Sequence, residues 1–283
     1  MEKRNKNGLT EKEFLANYKP GNYERPSVTV DMLLYIIDEE EIGKRKNAKK
    51  DLKLLLIKRK DHPFIDSWAL PGGFVGMEES LEEAAYRELK EETNLSEDIY
   101  LEQLYTFGSP KRDPRMRVIS SSYMALTHKE NVKNTKAGDD ASDALWFFVK
   151  KKIISKDSFL LELTNEEKNI SIVYLFEKNG DKWEFKHSLG ETLAFDHAEI
   201  INLSIDRMRN KIFYTDIAFN LLPSEFTLTE LQLVFESILG ESLDKGNFRK
   251  KIMPLVEKVE NSEEDDVAHR PAKLFRKKVF IFG

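Results

Sequence analysis

The chain has 283 residues, 40% hydrophobic and 34% charged, and its 45 Lys and Arg against 50 Asp and Glu leave a net charge of −5. This length and apolar content support one large core or two ordinary ones, and exclude both global disorder and a wholly basic nucleic-acid coat. The sequence has no cysteine, which removes disulfide scaffolds and thiol chemistry; its polar first fifteen residues are no secretory signal, and no apolar run nears the roughly 20 residues that span a bilayer, so a soluble, cytoplasmic protein with no membrane partner is expected.

Residues 1–20 are a polar lead-in with a short helical pattern around Phe14 and Tyr18. The β-branched run Val28 to Ile37 predicts a buried strand, and 52–59 its return across a charged, solvated hairpin tip at 38–50. A Pro- and Gly-rich loop leads into a helix over 80–94. Ser80 and Glu83 have capping-box spacing there, and Leu81, Ala84, Ala85 and Leu89 make the apolar stripe. Strands are expected near 100–108, 117–127 and 144–149. Alternating runs about Asn179-Gly180 predict a hairpin over 170–187, and a helix over 194–213 takes Asp196 as its cap. The pattern changes after Leu222-Pro223, which places a domain boundary near 215–223.

The chemistry concentrates between Gly73 and Leu95. Glu88, Glu91 and Glu92 stand at i, i+3 and i+4, which puts three carboxylates on one narrow helix face. Such a face repels itself unless cations neutralise it, and hard divalent ions prefer all-oxygen donors of this kind. Arg87 reaches Glu91 one turn on or the loop carboxylate Glu79. The pair Gly72-Gly73 allows close backbone approach to a ligand and offers carbonyls to a metal.

These residues resemble the Nudix family, whose motif is G-x5-E-x7-R-E-U-x-E-E-x-G-U with U a bulky aliphatic residue. Gly73, Glu79, Arg87, Glu88, Leu89, Glu91, Glu92 and Leu95 fall in register. Asn94 stands where the family has Gly, and Asn also accepts the left-handed cap that ends a helix. The resemblance implies an α/β (α+β) fold with a mixed sheet between helices, and hydrolysis of a nucleoside diphosphate linked to another group. It implies Mg²⁺ or Mn²⁺ held by Glu88, Glu91 and Glu92 with Gly72, and Glu79 and Arg87 as supports. The resemblance also implies a general base that is either Glu88 or a group from a distant loop.

The basic stretch 107–118 carries Arg112 and Arg115, whose forks suit a diphosphate. With Pro110 it resembles ADP-ribose pyrophosphatases, so Arg112, Arg115 and Gly73 are expected to bind substrate. Tyr18, Tyr23 and Phe107 are candidates for stacking on a base. Asp139, Asp140 and Asp143 form a polar turn or a further base or metal contact, and His197 reads as structural.

Thr227 and Glu230 make another capping box, Leu228, Leu231, Val234, Phe235 and Ile238 an apolar stripe, and Gly240 a stop. A second helix over about 244–253 shows Lys245, Asn247, Arg249 and Lys250. Residues 245–283 hold ten Lys and Arg against six Asp and Glu, a local +4. Helix, turn, basic helix and terminal hairpin are the parts of a winged helix. FDHAEI, LLPSEFTLTELQ, ILGESLDKGNF and RPAKLFR resemble NrtR-type Nudix proteins. That resemblance implies a repressor of NAD-metabolism operons that responds to ADP-ribose, and some relatives also hydrolyse it. The expectation is a Nudix domain over 1–215, with a hairpin extension near 170–187, and a winged helix over 216–283. Together they are expected to make an Mg²⁺-dependent hydrolase of the ADP-ribose class, a homodimer, with promoter DNA as the expected further partner of the C-terminal domain. The alternative is an ADP-ribose-responsive repressor with weak or no hydrolysis.

Overall fold

The computed structural model describes residues 3–19, 21, 24–40, 49–93, 99–132, 141–259 and 273–278. Helix α1 (Glu11–Asn17) is capped by Thr10 and Glu13 and buries none of its residues. Strands β1 (Ser27–Glu40) and β2 (Lys49–Arg59) form the expected antiparallel pair, in register from Tyr35 opposite Leu54 to Glu40 opposite Lys49. The charged tip expected between them lies outside the described residues. From Met32 to Ile37 β1 is apolar at every position because both faces of the sheet are covered: Leu33, Tyr35 and Ile37 enter one core, Met32, Leu34 and Ile36, with Val30 before them, the other.

Two short strips, β3 (Trp68–Ala69) and β4 (Gly72–Phe74), pair with β2 and β1. Helix α2 (Leu81–Thr93) starts at the capping box: the Ser80 N–H donates to Glu83 at 2.7 Å and the Glu83 N–H to the Ser80 hydroxyl at 3.2 Å. Ala84, Ala85 and Leu89 seat it on one face of the sheet. Its expected end at Asn94 lies outside the described residues. Strands β5 (Tyr100–Phe107) and β6 (Val118–Leu126) follow, and β6 runs parallel to β1.

β7 (Ala141–Ser155), β8 (Ser158–Asn165), β9 (Ile170–Asn179) and β10 (Lys182–Gly190) complete a mixed sheet of order β10-β9-β8-β7-β2-β1-β6-β5. The hairpin about Asn179-Gly180 is present, with Gly180 at φ 62°. It continues an antiparallel meander from β7 rather than standing as an appendage. The hydropathy pattern does not signal β8. Phe159, Leu161 and Leu163 point inward, but the outward Leu160 is itself apolar and half-buried, so the alternation is hidden.

Helix α3 (His197–Lys211) crosses the face opposite α2. It begins three residues later than its apolar pattern predicts. Asp196 does occupy the cap position but makes no capping hydrogen bond, because its carboxylate is taken by Arg112. After a 3-10 turn at 217–221 come β11 (Phe226–Thr227), α4 (Leu228–Leu239), α5 (Lys245–Ile252), β12 (Val256–Lys258) and β13 (Leu274–Lys277). The three strands form a small sheet of order β11-β13-β12. The Thr227–Glu230 capping box and the left-handed Gly240 bound α4 as the sequence predicts.

Leu231, Val234, Phe235 and Ile238 of α4 are buried, at about 1.5–3 kcal/mol for each large side chain. They do not close a separate core. One continuous cluster runs from Leu54 and Phe147 of the large sheet through Ile201 and Ile205 of α3 to Leu231 and Phe248. Lys50 of β2 pairs with Glu230 at 3.7 Å, Lys277 with Asp216 at 2.5 Å, and Arg209 of α3 donates to the Ile238 carbonyl at 2.9 Å. The sequence boundary near 215–223 therefore falls inside one packed body. Phe147 sits fully buried at its centre, edge-on to Trp68 with ring centroids 4.8 Å apart. Phe147→Ala is expected to cost about 3–5 kcal/mol, read as a lower urea midpoint with an unchanged slope.

Candidate functional site

Between β4 and the middle of α2, Arg87 organises the carboxylates. Its guanidinium bonds Glu79 twice, at 3.0 and 2.8 Å, Glu88 at 2.7 Å and the Phe74 carbonyl at 3.1 Å, with Glu91 at 3.6 Å. Both sequence-expected partners of Arg87 are thus in place, with Glu88 added. The Arg87 hydrogen bonds, followed by that of the Gly76 N–H, hold the Glu79 carboxyl down at about 2, so it stays ionised at any working pH. Glu79 in turn raises Arg87 above the ordinary arginine range. Glu88 is buried while the Glu91 side chain is 57% exposed. The side chain of Glu92 lies outside the described residues, and among those described no three carboxylate or histidine groups converge as a cage.

The two glycines act by close approach. A Cβ on Gly72 would strike the Val30 carbonyl, and one on Gly73 would strike the Glu88 carboxylate. Gly73→Ala is expected to push Glu88 off its position and to lower about tenfold any hydrolysis that the cavity carries out, with the melting temperature nearly unchanged. Equal kcat in the two proteins would show that Glu88 has room to spare.

Gly72, Gly73, Arg87, Glu88 and Glu91 line a cavity of about 790 Å³, and Arg112 and Arg115 line it as well. The structure therefore brings the carboxylate helix and the basic stretch together. Both arginines are held by acids. Arg112 forks onto Asp196 at 2.9 and 2.6 Å and reaches Asp31 at 3.3 Å, and its side chain is only 5% exposed. Burial works against its charge, but Asp196 and Asp31 outweigh it and leave the pKa raised. Arg115 is tied to the buried Asp113 at 2.8 Å and remains open to the cavity. Asp31 also accepts from the Ser120 hydroxyl at 2.6 Å. His197 accepts the Leu70 N–H on Nδ1 at 2.9 Å, so its proton sits on Nε2, 3.7 Å from Asp31, and burial keeps it neutral.

Sequence reasoning misses Asp31, Arg59, Phe74 and Phe195, which also line the cavity. Asp31 left a signal: a carboxylate in a strand otherwise built of apolar residues is almost never buried unpaired. Of the expected stacking rings, Phe107 is buried against Tyr105, Tyr18 packs with Phe14, and neither lines the cavity. Tyr23, Asp139, Asp140 and the side chain of Asp143 lie outside the described residues.

In the C-terminal region α5 exposes Lys245, Asn247, Arg249 and Lys250 while burying Phe248 and Ile252. Asp244 caps it, accepting the Asn247 N–H at 2.8 Å. The expected acidic loop at 263–266 lies outside the described residues.

A mixed sheet flanked by helices, with an arginine-centred carboxylate cluster at a Gly-Gly strip, defines a Nudix-fold protein. The Nudix domain model matches residues 44–183 and the NrtR DNA-binding winged helix domain model residues 218–277. The ADPR responsive transcriptional repressor NtrR of Acinetobacter baylyi is 31% identical over 273 residues, 95% of this chain and 89% of that protein. The ADP-ribose pyrophosphatase of Methanocaldococcus jannaschii is 39% identical over 145 residues, 51% of this chain and 74% of that protein. The crystal structure of a MutT/nudix family protein from Enterococcus faecalis superposes with a TM-score of 0.74 at 33% identity, covering 95% of this chain and 94% of the other. The chain belongs to the NrtR family of Nudix proteins.

Proposed function

We propose that this chain is an ADP-ribose-responsive transcriptional repressor whose Nudix cavity also hydrolyses the effector. The observation that carries the reading is the joining of an arginine- and carboxylate-lined cavity and an exposed basic helix on one continuous core. Arg112 and Arg115 offer positive charge to a diphosphate in the cavity that holds Glu88 and Glu91. The oxygen-only donors Glu88, Glu91, Glu92 and the Gly72 carbonyl suit Mg²⁺ or Mn²⁺, which when bound supplies charge neutralisation and an activated water. Arg87 keeps Glu79, Glu88 and Glu91 in one arrangement. Gly73 leaves Glu88 the room it occupies.

Lys245, Asn247, Arg249 and Lys250 would meet DNA phosphates and base edges from α5. Two copies of the chain in a homodimer would present two such helices to half-sites about 34–36 Å apart. If ADP-ribose lowers affinity for DNA, DNA must lower affinity for ADP-ribose by the same factor. The test is a mobility shift of the upstream DNA with and without ADP-ribose, beside turnover of a diphosphate panel with Mg²⁺. Release of DNA by ADP-ribose supports the repressor, and turnover supports hydrolysis.

A second reading, a hydrolase whose C-terminal region only packs, is favoured by the burial of the apolar face of α4 in the shared core. Lack of salt-sensitive DNA binding at micromolar protein would leave that reading standing.

A further inference from the structure

Phe195 lines the cavity with φ at 50°, a left-handed conformation that a bulky L-residue avoids. The ring of Phe64, 4.7 Å away, is carried by a residue with φ of 63°. The chain on both sides of Phe195 is fixed. The Trp68 N–H donates to the Thr192 carbonyl at 2.9 Å and the Ala194 N–H to the Trp68 carbonyl at 2.8 Å, while Arg112 locks Asp196. Strain that its surroundings enforce in this way marks places where a side chain must stand in one position.

That position is beside two like charges. The Arg59 guanidinium lies over the Phe195 ring at 5.1 Å and that of Arg115 at 5.9 Å. Burial, and after it the charge of Arg115, depresses the ionisation of Arg59. Arg115 is anchored by Asp113, whereas Arg59 bonds the Pro63 carbonyl at 2.8 Å and has no carboxylate within ion-pair distance among the described residues. An aromatic face attracts cations, so the ring offsets part of the repulsion between the two guanidiniums.

We propose that Phe195 is a positioning residue that holds Arg59 and Arg115 together as a paired receptor for the diphosphate of the ligand. The proposal deepens the function proposed above and takes from it only the identity of the ligand. The pair recognises an anion with two phosphoryl groups, and inorganic pyrophosphate is its minimal probe.

The experiment compares wild type with Phe195→Asn and Phe195→Tyr by calorimetric titration of pyrophosphate and of ADP-ribose, by KM and kcat, and by thermal melting. Asn tolerates a left-handed backbone but lacks the ring. Phe195→Asn is expected to melt no lower than wild type yet bind both ligands about tenfold more weakly, with KM rising more than kcat falls. Phe195→Tyr keeps the ring face and is expected to stay within about twofold of wild type. Pyrophosphate affinity unchanged in Phe195→Asn, or lost equally in Phe195→Tyr, overturns the proposal. Wild type that ignores ADP-ribose but binds pyrophosphate through Phe195 sinks the proposed function and upholds this inference. Wild type that binds neither sinks both.

Discussion

Glu91→Gln is expected to lower kcat for the proposed hydrolysis of ADP-ribose about a hundredfold in the presence of Mg²⁺, because it would remove one hard anionic donor from the proposed metal site, where several kcal/mol of charge stabilisation would be made. The fold should not register the change. Glu91 is 57% exposed and its contact with Arg87 is the longest that Arg87 makes to a carboxylate. Surface pairs of that kind contribute little to stability. Glu92→Gln is expected to behave alike, since Glu92 is the third carboxylate of the i, i+3, i+4 set in the sequence. The measurement is steady-state turnover at saturating substrate, with thermal melting as the control for folding. Near wild-type kcat in both variants would remove these residues from the proposed metal site.

Reversing Arg249 and Lys250 to Glu together should abolish DNA binding. Each change replaces an attraction with a repulsion at a polyanion, and counterion release makes such contacts the main source of affinity. Both side chains are exposed on α5, whose buried residues are Phe248 and Ile252, so the helix should form as before. Turnover in the Nudix cavity should change by less than about twofold, as neither residue lines it. Retained, salt-sensitive binding of the doubly reversed protein would show that DNA is read elsewhere on the chain.

Much of this architecture was legible in the residues because the local signals are strong and short-ranged. The capping boxes at Ser80 and Thr227, the stop at Gly240 and the turn at Asn179-Gly180 each depend on a few neighbouring atoms, and each is found where the spacing puts it. Part of the carboxylate cluster was legible for the same reason, since helix geometry alone brings Arg87 to Glu91 one turn on, whereas the Arg87 contact to its neighbour Glu88 was not foreseen. What escaped depends on partners distant in sequence. Asp196 looks like a helix cap until Arg112, 84 residues away, claims it. Arg59 and Phe195 become one wall of a cavity only through the packing of β2 against the approach to α3. Strand β8 is hidden by an apolar residue on its outer side.

The continuity of the core has a mechanical meaning. A DNA-reading unit hung on a linker can swing, and it can be cut free by a protease and still fold. Here α4 shares its interior with the large sheet, and Arg209 and Lys50 tie it at both ends. Such a body should melt in one calorimetric transition, and limited proteolysis near 215–223 should yield no folded fragment. If α4 and the large sheet move together, the separation of two α5 helices in the proposed dimer is set where protomer meets protomer. An effector that alters that separation would have to do so by re-seating whole subunits against each other.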